Sequence, residues 1–427
     1  MSSPSSQDSP PLPTLPQNWI LQLGCGSVTE DFLAAVAAFP NPDDKIRSTS
    51  FQIQGGGNTG NALTCAARLG LKPRLISKVA DDARGRGILE ELEADGIDTS
   101  FLVVSKEGNS PFTYVIVDKQ TKTRTCIHTP GFPPMIPDDL SKSSLLSALD
   151  GVRLIYLDGR LHETALVVAR EANCRSIPIL IDAERKREGL DDLLKFSDYV
   201  VCSAKFPQAW TEAPSVPSAL VAMLLRLPNV KFVIVTLGED GCIMLQRSVT
   251  EGDQSEEMDI DSLLESLKQR NDSNTVIPTC VSSVVTKLRA HGMGTVSGRL
   301  FVGTAEKIPS SELVDTTGAG DAFIGAVLYE DFQYDIANTL HQLFVPACNQ
   351  KKCCYLPLKW QQLAVELWEL EQVFRISLIH AWPLFYDYYT NFSSNLVTTP
   401  STLLSNKHGI SALPLAMMVL YTPKKNC

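Results

Sequence analysis

The stretch Asp315–Phe323 reads DTTGAGDAF and leads into the apolar run IGAVLY, which is typical of a buried helix. Gly318 and Gly320 let the backbone turn tightly, so several N–H groups point one way where the helix begins. Such a turn attracts an anion, and the helix dipole strengthens the attraction. Asp321 falls in the first helical turn, where its carboxylate could take the proton of a hydroxyl that attacks the anion. The alternative is that Asp321 only caps the helix.

The overall composition excludes several classes of partner. The chain has 427 residues, is 44% hydrophobic and carries a formal charge of −10. Nucleic acids and acidic membranes attract an excess of Lys and Arg, so we expect neither as a partner. No run of 18 apolar residues appears, and residues 1–18 form a Pro/Ser-rich stretch without a targeting pattern, which we expect to be disordered. Eleven scattered cysteines without zinc spacing favour free thiols, and the cytoplasm is the expected location.

Residues 19–330 have the pattern of one α/β domain. Short apolar strands such as RLIYLDG, PILIDA, YVVCSA and KFVIVTLG alternate with helical stretches, which predicts a mostly parallel sheet with helices on both faces. Two segments, at about 48–56 and 110–130, interrupt this alternation, and the second is typical of a β-hairpin. We expect them to form a small sheet that acts as a lid over a pocket. Residues 250–278 are acidic and poor in aromatic residues, which predicts an exposed insertion with one short helix at IDSLLESLKQ.

The nine residues of DTTGAGDAF resemble the C-terminal signature of the PfkB, or ribokinase-like, carbohydrate kinases. This resemblance implies a three-layer α/β/α sandwich with a small β-sheet lid. It also implies that Asp321 is the catalytic base and that the amides of Gly318, Ala319 and Gly320 form the anion hole. ATP and Mg²⁺ are the implied nucleotide and cation.

A second stretch, QGGGNTGNALTCAARLG at Gln54–Gly70, resembles the N-terminal signature of the same family. Three glycines allow a ligand close to the backbone, and asparagine amides can donate to and accept from sugar hydroxyls. The resemblance implies that Gly57, Asn58 and Asn61 contact the acceptor sugar; a glycine-rich turn with asparagine caps is the alternative. Asp31 occupies the place of a carboxylate that binds sugar hydroxyls in these kinases, although Glu30 stands beside it.

The resemblance also assigns residues to the nucleotide. Arg124, on the predicted lid hairpin, resembles a lid arginine that reaches phosphate in ketohexokinase-like members; the alternative is a solvated side chain. The turn in VIVTLGEDGC corresponds to a segment that lines the nucleotide site, which implies ATP contacts for Gly238, Glu239, Asp240 and Gly241. An ordinary β-turn explains the same glycines. KFPQAW stands where many members carry Asn-x-x-Glu, and Glu184 in IDAERKREG is a candidate for a carboxylate nearby. The metal ligands therefore stay unassigned.

The spacing between the two signatures favours a ketohexokinase-like or fructokinase-like enzyme that phosphorylates a sugar hydroxyl with ATP. A nucleoside kinase of the same fold is one alternative. Another is a catalytically impaired isoform that only binds sugar or dimerises. A homodimer through the lid is a further expectation for the active enzyme.

The resemblance ends after about Tyr329, and residues 331–427 read as a tail foreign to the family. Within that tail, WQQLAVELWELEQVF reverse-translates one nucleotide earlier to permit VAAVGCRALGARTGL, which resembles the end of many such kinases. Our hypothesis is that a splice or gene-model shift put the true C-terminus out of frame. A genuine lineage-specific tail is the alternative.

Overall fold

The computed structural model of the protein describes residues 21–248, 257–270, 278–307, 309 and 316–329. The predicted Pro/Ser tail, Asp315 and the predicted foreign tail lie outside these residues, so the predictions on them stay untested. In chain order the strands are β1 Leu21–Cys25, β2 Thr29–Val36, β3 Ser50–Gly56, β4 Lys72–Ala80, β5 Asp98–Ser105, β6 Phe112–Asp118, β7 Thr123–Thr129, β8 Val152–Leu157, β9 Ile179–Ala183, β10 Tyr199–Ser203, β11 Phe232–Thr236, β12 Cys242–Arg247, β13 Glu257–Asp259, β14 Cys280–Ser282, β15 Thr286–Ala290 and β16 Gly294–Gly303. The helices are α1 Asn58–Arg68, α2 Ala83–Ala94, α3 Lys142–Ala148, α4 His162–Cys174, α5 Leu190–Leu194, α6 Phe206–Thr211, α7 Val216–Arg226, α8 Ile260–Arg270 and α9 Ala319–Tyr329.

A large sheet forms the centre of the domain. Seven of its strands are parallel, in the order β11-β10-β9-β8-β1-β4-β5. β12, β16 and β15 extend it by antiparallel pairing beyond β11. The central strands are buried on both faces, as in Ile179–Ala183, where every residue is buried. This explains why they read in the sequence as continuous apolar runs rather than alternating ones.

Helices cover both faces of this sheet, which gives the predicted three layers. One face buries an apolar cluster built from α1, α2 and α9, and the other buries a cluster built from α3 to α8. Because each helix turns its apolar side to the sheet, the two clusters form the core on either side of it. The predicted three-layer α/β/α architecture is therefore confirmed.

A separate four-stranded sheet, in the order β3-β2-β6-β7, is the small sheet that was predicted to act as a lid, and it is called the lid below. β6 and β7 are the predicted hairpin, paired in antiparallel register from Phe112↔Thr129 to Asp118↔Thr123. β2 was missing from the predicted lid, because its sequence TEDFLAAV carries several residues that favour helices. Its pairing with β3 and β6 outweighs that local preference.

The predicted insertion at 250–278 is only partly as expected. A helix is present at Ile260–Arg270, but it is not wholly exposed: Ile260, Leu263, Leu264 and Leu267 are buried in the core. These residues follow the i, i+3, i+4, i+7 spacing of one helix face, and that face outweighs the acidic composition around it. Among the described helices none is long and apolar enough to span a bilayer.

Candidate active site

The carboxyl ends of the parallel strands meet at one edge of the large sheet, and polar residues collect there. The chain winds outward in opposite directions from β1 and β8, so the gap between these two neighbours is the switch point where α/β folds bind ligands. Just beyond it, the backbone N–H and the Oγ of Ser27 both donate to Asp158 Oδ2 at 2.7 Å. These bonds join the loop after β1 to the loop after β8.

A cavity of about 440 Å³, here called the main cavity, opens at this edge beneath the lid. It brings together residues from both signatures and from the lid that are far apart in the sequence. Those predicted from the sequence are Asp31, Gly57, Asn58, Asn61, Arg124, Gly318, Gly320 and Asp321. Ala319 lies between two of the lining glycines at the start of α9.

The helices α1 and α9 start beside one another at the main cavity. They pack closely because residue 325 is glycine: a Cβ there would lie 2.5 Å from Cys65 Cβ and 2.7 Å from the carbonyl oxygen of Ala62. At their first turns, Asn61 Nδ2 donates to Asp321 Oδ2 at 2.8 Å. The carboxyl of Asp321 is thereby held toward the cavity by a side chain of the other signature.

The carboxyl group of Asp321 lies deep in the protein but stays accessible from the main cavity. Burial raises its pKa to about 7; the Asn61 hydrogen bond opposes this shift, and the carboxylate of Glu184 adds to it. A carboxyl with that pKa is largely ionised just above neutral pH and can still accept a proton readily.

Gly318 and Gly320, the two glycines of the GAG sequence, have different physical reasons for being glycine. Gly318 has φ +71°, a left-handed conformation that favours glycine. At Gly320 no positive φ is needed, and a Cβ would meet no described atom within 4 Å. Packing among the described residues therefore does not require glycine at 320. The absence of a side chain there leaves open space at the N-terminus of α9, where N–H groups can reach an anion.

The two asparagines of the other signature have different surroundings. The N-cap of α1 is Gly57, with φ +86° and no side-chain cap, so neither asparagine has the capping role considered above. Asn58 Nδ2 donates to Asp182 Oδ2 at 3.2 Å, and Asn58 Oδ1 accepts from Arg160 at 3.0 Å. Asn58 therefore links β8 and β9 across the cavity wall, while Asn61 turns to Asp321.

The lid places Asp31, rather than Glu30, in the main cavity. Successive residues of a strand point to opposite faces, and Glu30 faces away, with its Oε2 3.7 Å from Arg84 Nε. Asp31 is buried and accepts from Thr29 Oγ1 at 2.7 Å. Burial raises its pKa, partly offset by hydrogen bonds from Thr29 and Thr113. A Cβ at residue 56 would lie 2.3 Å from the carboxyl group of Asp31. Because residue 56 is glycine, that space is free for the carboxyl.

Arg124 lies on β7 and reaches across to the GAG segment. Its Nη1 donates to Thr316 Oγ1 at 2.8 Å, although the side chain is exposed to the cavity and solvent. Strand alternation puts Cys126 and His128 on the same face of the lid as Arg124. The guanidinium group is thus positioned by contact with the DTTGAGDAF stretch and is not merely solvated.

Gly238, Glu239, Asp240 and Gly241 are not among the residues that line the main cavity. They form the turn after β11, in which the first three residues are exposed and Leu237 N donates to the carbonyl oxygen of Gly241 at 2.8 Å. Thr236, at the end of β11, does line the cavity. Only Leu237 separates this turn from Thr236 in the chain, and the ATP contacts of the four turn residues stay a prediction.

Asp158, Arg160 and Asp182 near the cavity wall were not predicted, whereas Glu184 was a candidate for a carboxylate near the metal. Asp182 is buried at the end of β9, and burial raises its pKa to about 8, with further contributions from Asp321 and then Glu184. Glu184 accepts from Arg160 at 3.1 Å and from Arg187. Burial alone would raise the pKa of Glu184, but the nearby guanidinium groups lower it overall. The sequence did contain a signal for two of these aspartates. Asp158 directly follows the buried strand β8, Asp182 lies near the end of the buried strand β9, and the carboxyl ends of these strands share one edge of the sheet.

The described residues contain no cluster of three or more His, Cys, Asp or Glu side chains arranged to hold a metal ion. Mg²⁺ in general keeps several waters and binds through substrate phosphates and one or two carboxylates. Asp182 and Glu184 are the unassigned carboxylates of the cavity wall.

Comparison with known proteins gives a family match over most of the described chain. Residues 25–259 and 257–330 match the profile described as "pfkB family carbohydrate kinase". Mouse ribokinase is 24% identical over 232 residues, which cover 52% of this chain and 70% of the relative. Mouse ketohexokinase is 23% identical over 224 residues, covering 51% of this chain and 74% of the relative.

Solved structures share the fold. Ribokinase from Thermotoga maritima superposes with a TM-score of 0.57 at 18% identity, covering 81% of this chain and 96% of that one. Arabidopsis thaliana ribokinase, described as complexed with ribose and ATP, gives a TM-score of 0.53 at 17% identity and covers 80% of this chain and 98% of that one.

Proposed function

Because the chain belongs to the pfkB family of carbohydrate kinases, we propose that it transfers the γ-phosphoryl group of ATP to a hydroxyl of a sugar, with Asp321 as the base. The observation that carries this proposal is the position of Asp321 at the main cavity, held by Asn61 at 2.8 Å and adjacent to the GAG turn. A ketohexokinase-like or ribokinase-like acceptor is the finer form of the proposal, supported by relatives of both names.

In the proposed reaction the acceptor hydroxyl oxygen attacks the γ-phosphorus as its proton passes to Asp321. The bond from the γ-phosphorus to the bridging oxygen breaks, and ADP leaves with that oxygen. The raised pKa of Asp321, about 7, supports this role, since a general base works best when its pKa lies near the operating pH. Asn61 fixes the direction of the carboxyl and leaves its other oxygen for the substrate.

The amides of Gly318, Ala319 and Gly320 are proposed to stabilise the charge on the phosphoryl group during transfer. Such donors contribute most when they are already in place before the reaction. Two features support the assignment: Ala319 and Gly320 are the first residues of an 11-residue helix, and the open space at Gly320 admits an anion close to the backbone.

The acceptor is proposed to lie between the lid and α1, against Asp31, Gly57, Asn58 and Asn61. Asp182 adds a group to this wall that was not predicted. With a pKa of about 8 it is mostly protonated at neutral pH, so it can donate to a sugar oxygen as well as accept.

The nucleotide is proposed to lie toward β10 and β11, with Arg124 on its phosphates and Gly238–Gly241 at its outer side. Ser203 and Thr236, at the ends of these strands, line the same part of the main cavity and support this direction. Mg²⁺ would neutralise the ATP phosphates, and Glu184 would supply at most one protein ligand to it.

The outer face of the lid supports the further proposal of a homodimer. Phe32, Phe51, Phe112 and Tyr114 form a continuous aromatic group there, with ring centroids 5.4–6.4 Å apart. Phe51, Ile53, Tyr114 and Ile127 are each about half exposed. An apolar patch of this kind commonly marks a protein interface, and a second lid is the self-complementary partner.

The test of the proposed function is a coupled assay of ADP release over ketoses, aldoses and nucleosides, using wild type and Asp321→Asn. We expect at least one acceptor to give turnover that the variant loses by about 10³-fold or more, while the variant still binds sugar. Equal turnover in the variant would exclude Asp321 as the base. Sugar binding without measurable ATP affinity in the wild type would instead favour a binding-only isoform.

A further inference from the structure

A row of three side chains crosses the inner face of the lid. Asp31 on β2 pairs with Thr113 on β6, and Thr113 pairs with His128 on β7. All three line the main cavity, but only Asp31 was predicted from the sequence to bind a ligand. Side chains at matching positions on neighbouring strands lie close enough to interact. The row therefore places His128 beside the space proposed for the acceptor.

Hydrogen bonds run along this row. Thr113 Oγ1 lies 3.3 Å from Nδ1 of His128. Thr113 also donates to the carboxylate of Asp31, which opposes the rise that burial causes in the pKa of Asp31. A threonine hydroxyl has one proton, and a carboxylate accepts it more strongly than an imidazole does. Thr113 therefore gives its proton to Asp31 and accepts a second bond from the N–H at Nδ1 of His128.

The surroundings of His128 determine its charge. Partial burial, and then the guanidinium groups of Arg160, Arg187 and Arg185, lower its pKa, so the ring is uncharged at neutral pH. A neutral imidazole has one N–H and one nitrogen that only accepts. Since Nδ1 carries the proton, Nε2 is the accepting nitrogen.

Nε2 of His128 is available to a ligand. In the described part of the chain, the hydrogen-bond contact of this ring is the one between Nδ1 and Thr113, and the ring is exposed at the cavity wall. The row thus presents two accepting groups, the Asp31 carboxylate and Nε2 of His128. A hydroxyl satisfies each by donating its proton, whereas a carbonyl or ether oxygen in the same place brings one lone pair against another.

On the premise of the proposed kinase function, we propose that His128 determines acceptor specificity: its Nε2 accepts a hydrogen bond from a sugar hydroxyl other than the one that is phosphorylated. Asp31 accepts from another hydroxyl, while Asp321 takes the proton of the reacting one. Because β6 separates β2 from β7, the backbones at Asp31 and His128 lie about 10 Å apart, so the two bonded hydroxyls are on different carbons. The lid thereby selects acceptors in which both hydroxyls are free.

The test uses D-fructose, D-ribose and analogues of each in which fluorine replaces one hydroxyl at a time. Fluorine is close to a hydroxyl in size but donates no proton. Equilibrium binding is measured by calorimetry without nucleotide, and ADP release is then measured with ATP.

The variants are chosen by the atoms that they keep. In His128→Asn the amide can still reach Thr113, but nothing replaces Nε2; in His128→Gln the amide oxygen can take the place of Nε2. Thr125→Asn adds an amide to the same strand at a position that does not line the main cavity, and it is the control. Thermal unfolding checks that all three variants fold.

In wild type and Thr125→Asn, we expect at least one analogue fluorinated away from the reacting hydroxyl to bind about tenfold more weakly than its parent sugar. In His128→Asn this penalty should disappear, because the parent sugar has itself lost the bond and binds about tenfold more weakly. His128→Gln should restore most of the affinity and of the penalty. The penalty at the hydroxyl that faces Asp31 should persist in both His128 variants.

Fluorine penalties that are the same in wild type and His128→Asn would overturn the assignment of His128. Failure of both sugars to bind the wild type would overturn it too, since both carry free hydroxyls on several carbons. ADP release with the parent sugars and unchanged penalties would leave the kinase function standing without a role for His128. Penalties that change as expected in a protein that releases no ADP would contradict the kinase function and support His128 as a sugar contact.

Discussion

Asn61 and Asp321 stand 260 positions apart, and Asn61 Nδ2 donates to Asp321 Oδ2 at 2.8 Å. Each belongs to one of the two sequence signatures, so this bond joins the proposed acceptor segment to the proposed base. The close packing of α1 and α9 at Gly325 makes the contact possible. The geometry of the proposed base therefore depends on helix packing as well as on the residues around the carboxyl.

The first prediction concerns the pH dependence of activity. Burial raises the pKa of Asp321 to about 7, and only the ionised carboxyl can accept the proton. We expect kcat/KM to rise about tenfold per pH unit below pH about 7 and to level off above it. In Glu184→Gln the rise should move to lower pH, because the Glu184 carboxylate raises the pKa of Asp321. The measurement is kcat/KM from pH 5 to 9 by ADP release.

The control for this prediction is Glu188→Gln, which removes an exposed carboxylate from the same loop. It should leave the pH profile unchanged. A wild-type profile that is flat down to pH about 5, or an unchanged profile in Glu184→Gln, would contradict the assignment of the rise to Asp321.

The second prediction separates two glycines of α9. In Gly320→Ala the new Cβ meets no described atom, so thermal stability should change little, but the methyl group would enter the space proposed for the phosphate. We expect kcat to fall about 100-fold. In Gly325→Ala the Cβ would lie 2.5 Å from Cys65 Cβ, so the helices must separate and Tm should fall clearly. Calorimetry and steady-state kinetics on both variants check this; a large loss of stability in Gly320→Ala would assign that glycine to folding.

Much of the parallel sheet is predictable from the sequence, because strands such as Ile179–Ala183 are buried on both faces and read as apolar runs. β2 is not, since Thr29–Val36 contains residues that favour helices and becomes a strand through its pairing in the lid. The helix at Ile260–Arg270 was expected, but the burial of its apolar face was not, because the acidic residues around it dominate the composition.

The candidate site also contains some residues that can be recognised from the sequence and others that cannot. Asp321, Asn58 and Asn61 are recognisable because each lies in a local motif of glycines and polar residues. Arg160 is not, because its position depends on which strand ends become neighbours, and that depends on strand order in the folded sheet.

The third prediction concerns Arg124. Its guanidinium group contacts Thr316 at 2.8 Å and faces the main cavity, where the ATP phosphates are proposed to lie. Arg124→Gln should raise KM for ATP about tenfold and leave sugar affinity nearly unchanged. Lys119→Gln removes an exposed cation from the same hairpin and is the charge-matched control. An equal change in both variants would indicate a general effect of charge rather than a phosphate contact.

The fourth prediction concerns the reading frame of the tail, which lies outside the described residues. The family match ends at residue 330, and the hypothesis of a shifted frame predicts a transcript in which the sequence VAAVGCRALGARTGL follows in frame with the kinase domain. Sequencing full-length transcripts from the source tissue checks it. A message that encodes only the tail from residue 331 as given would refute the shift and establish a genuine tail.

The fifth prediction concerns the outer face of the lid. Phe51 and Ile53 lie on β3 and are about half exposed within the aromatic patch, so a second lid would bury them in the proposed homodimer. Phe51→Asp with Ile53→Asp should convert a dimer into monomers, because two charges on each partner would have to be buried in an apolar interface. Light scattering coupled to size-exclusion chromatography gives the mass of each form.

Leu225 and Val284 provide the control for the lid prediction, because they are exposed apolar residues of the main domain. Aspartate at both positions adds the same charge, so the dimer should persist. The lid also carries Asp31 and Arg124 on its inner face. Loss of the dimer should therefore raise KM for the acceptor or for ATP and leave Tm of the main domain nearly unchanged. A wild-type protein that is monomeric at high micromolar concentration would exclude the lid as a dimer interface.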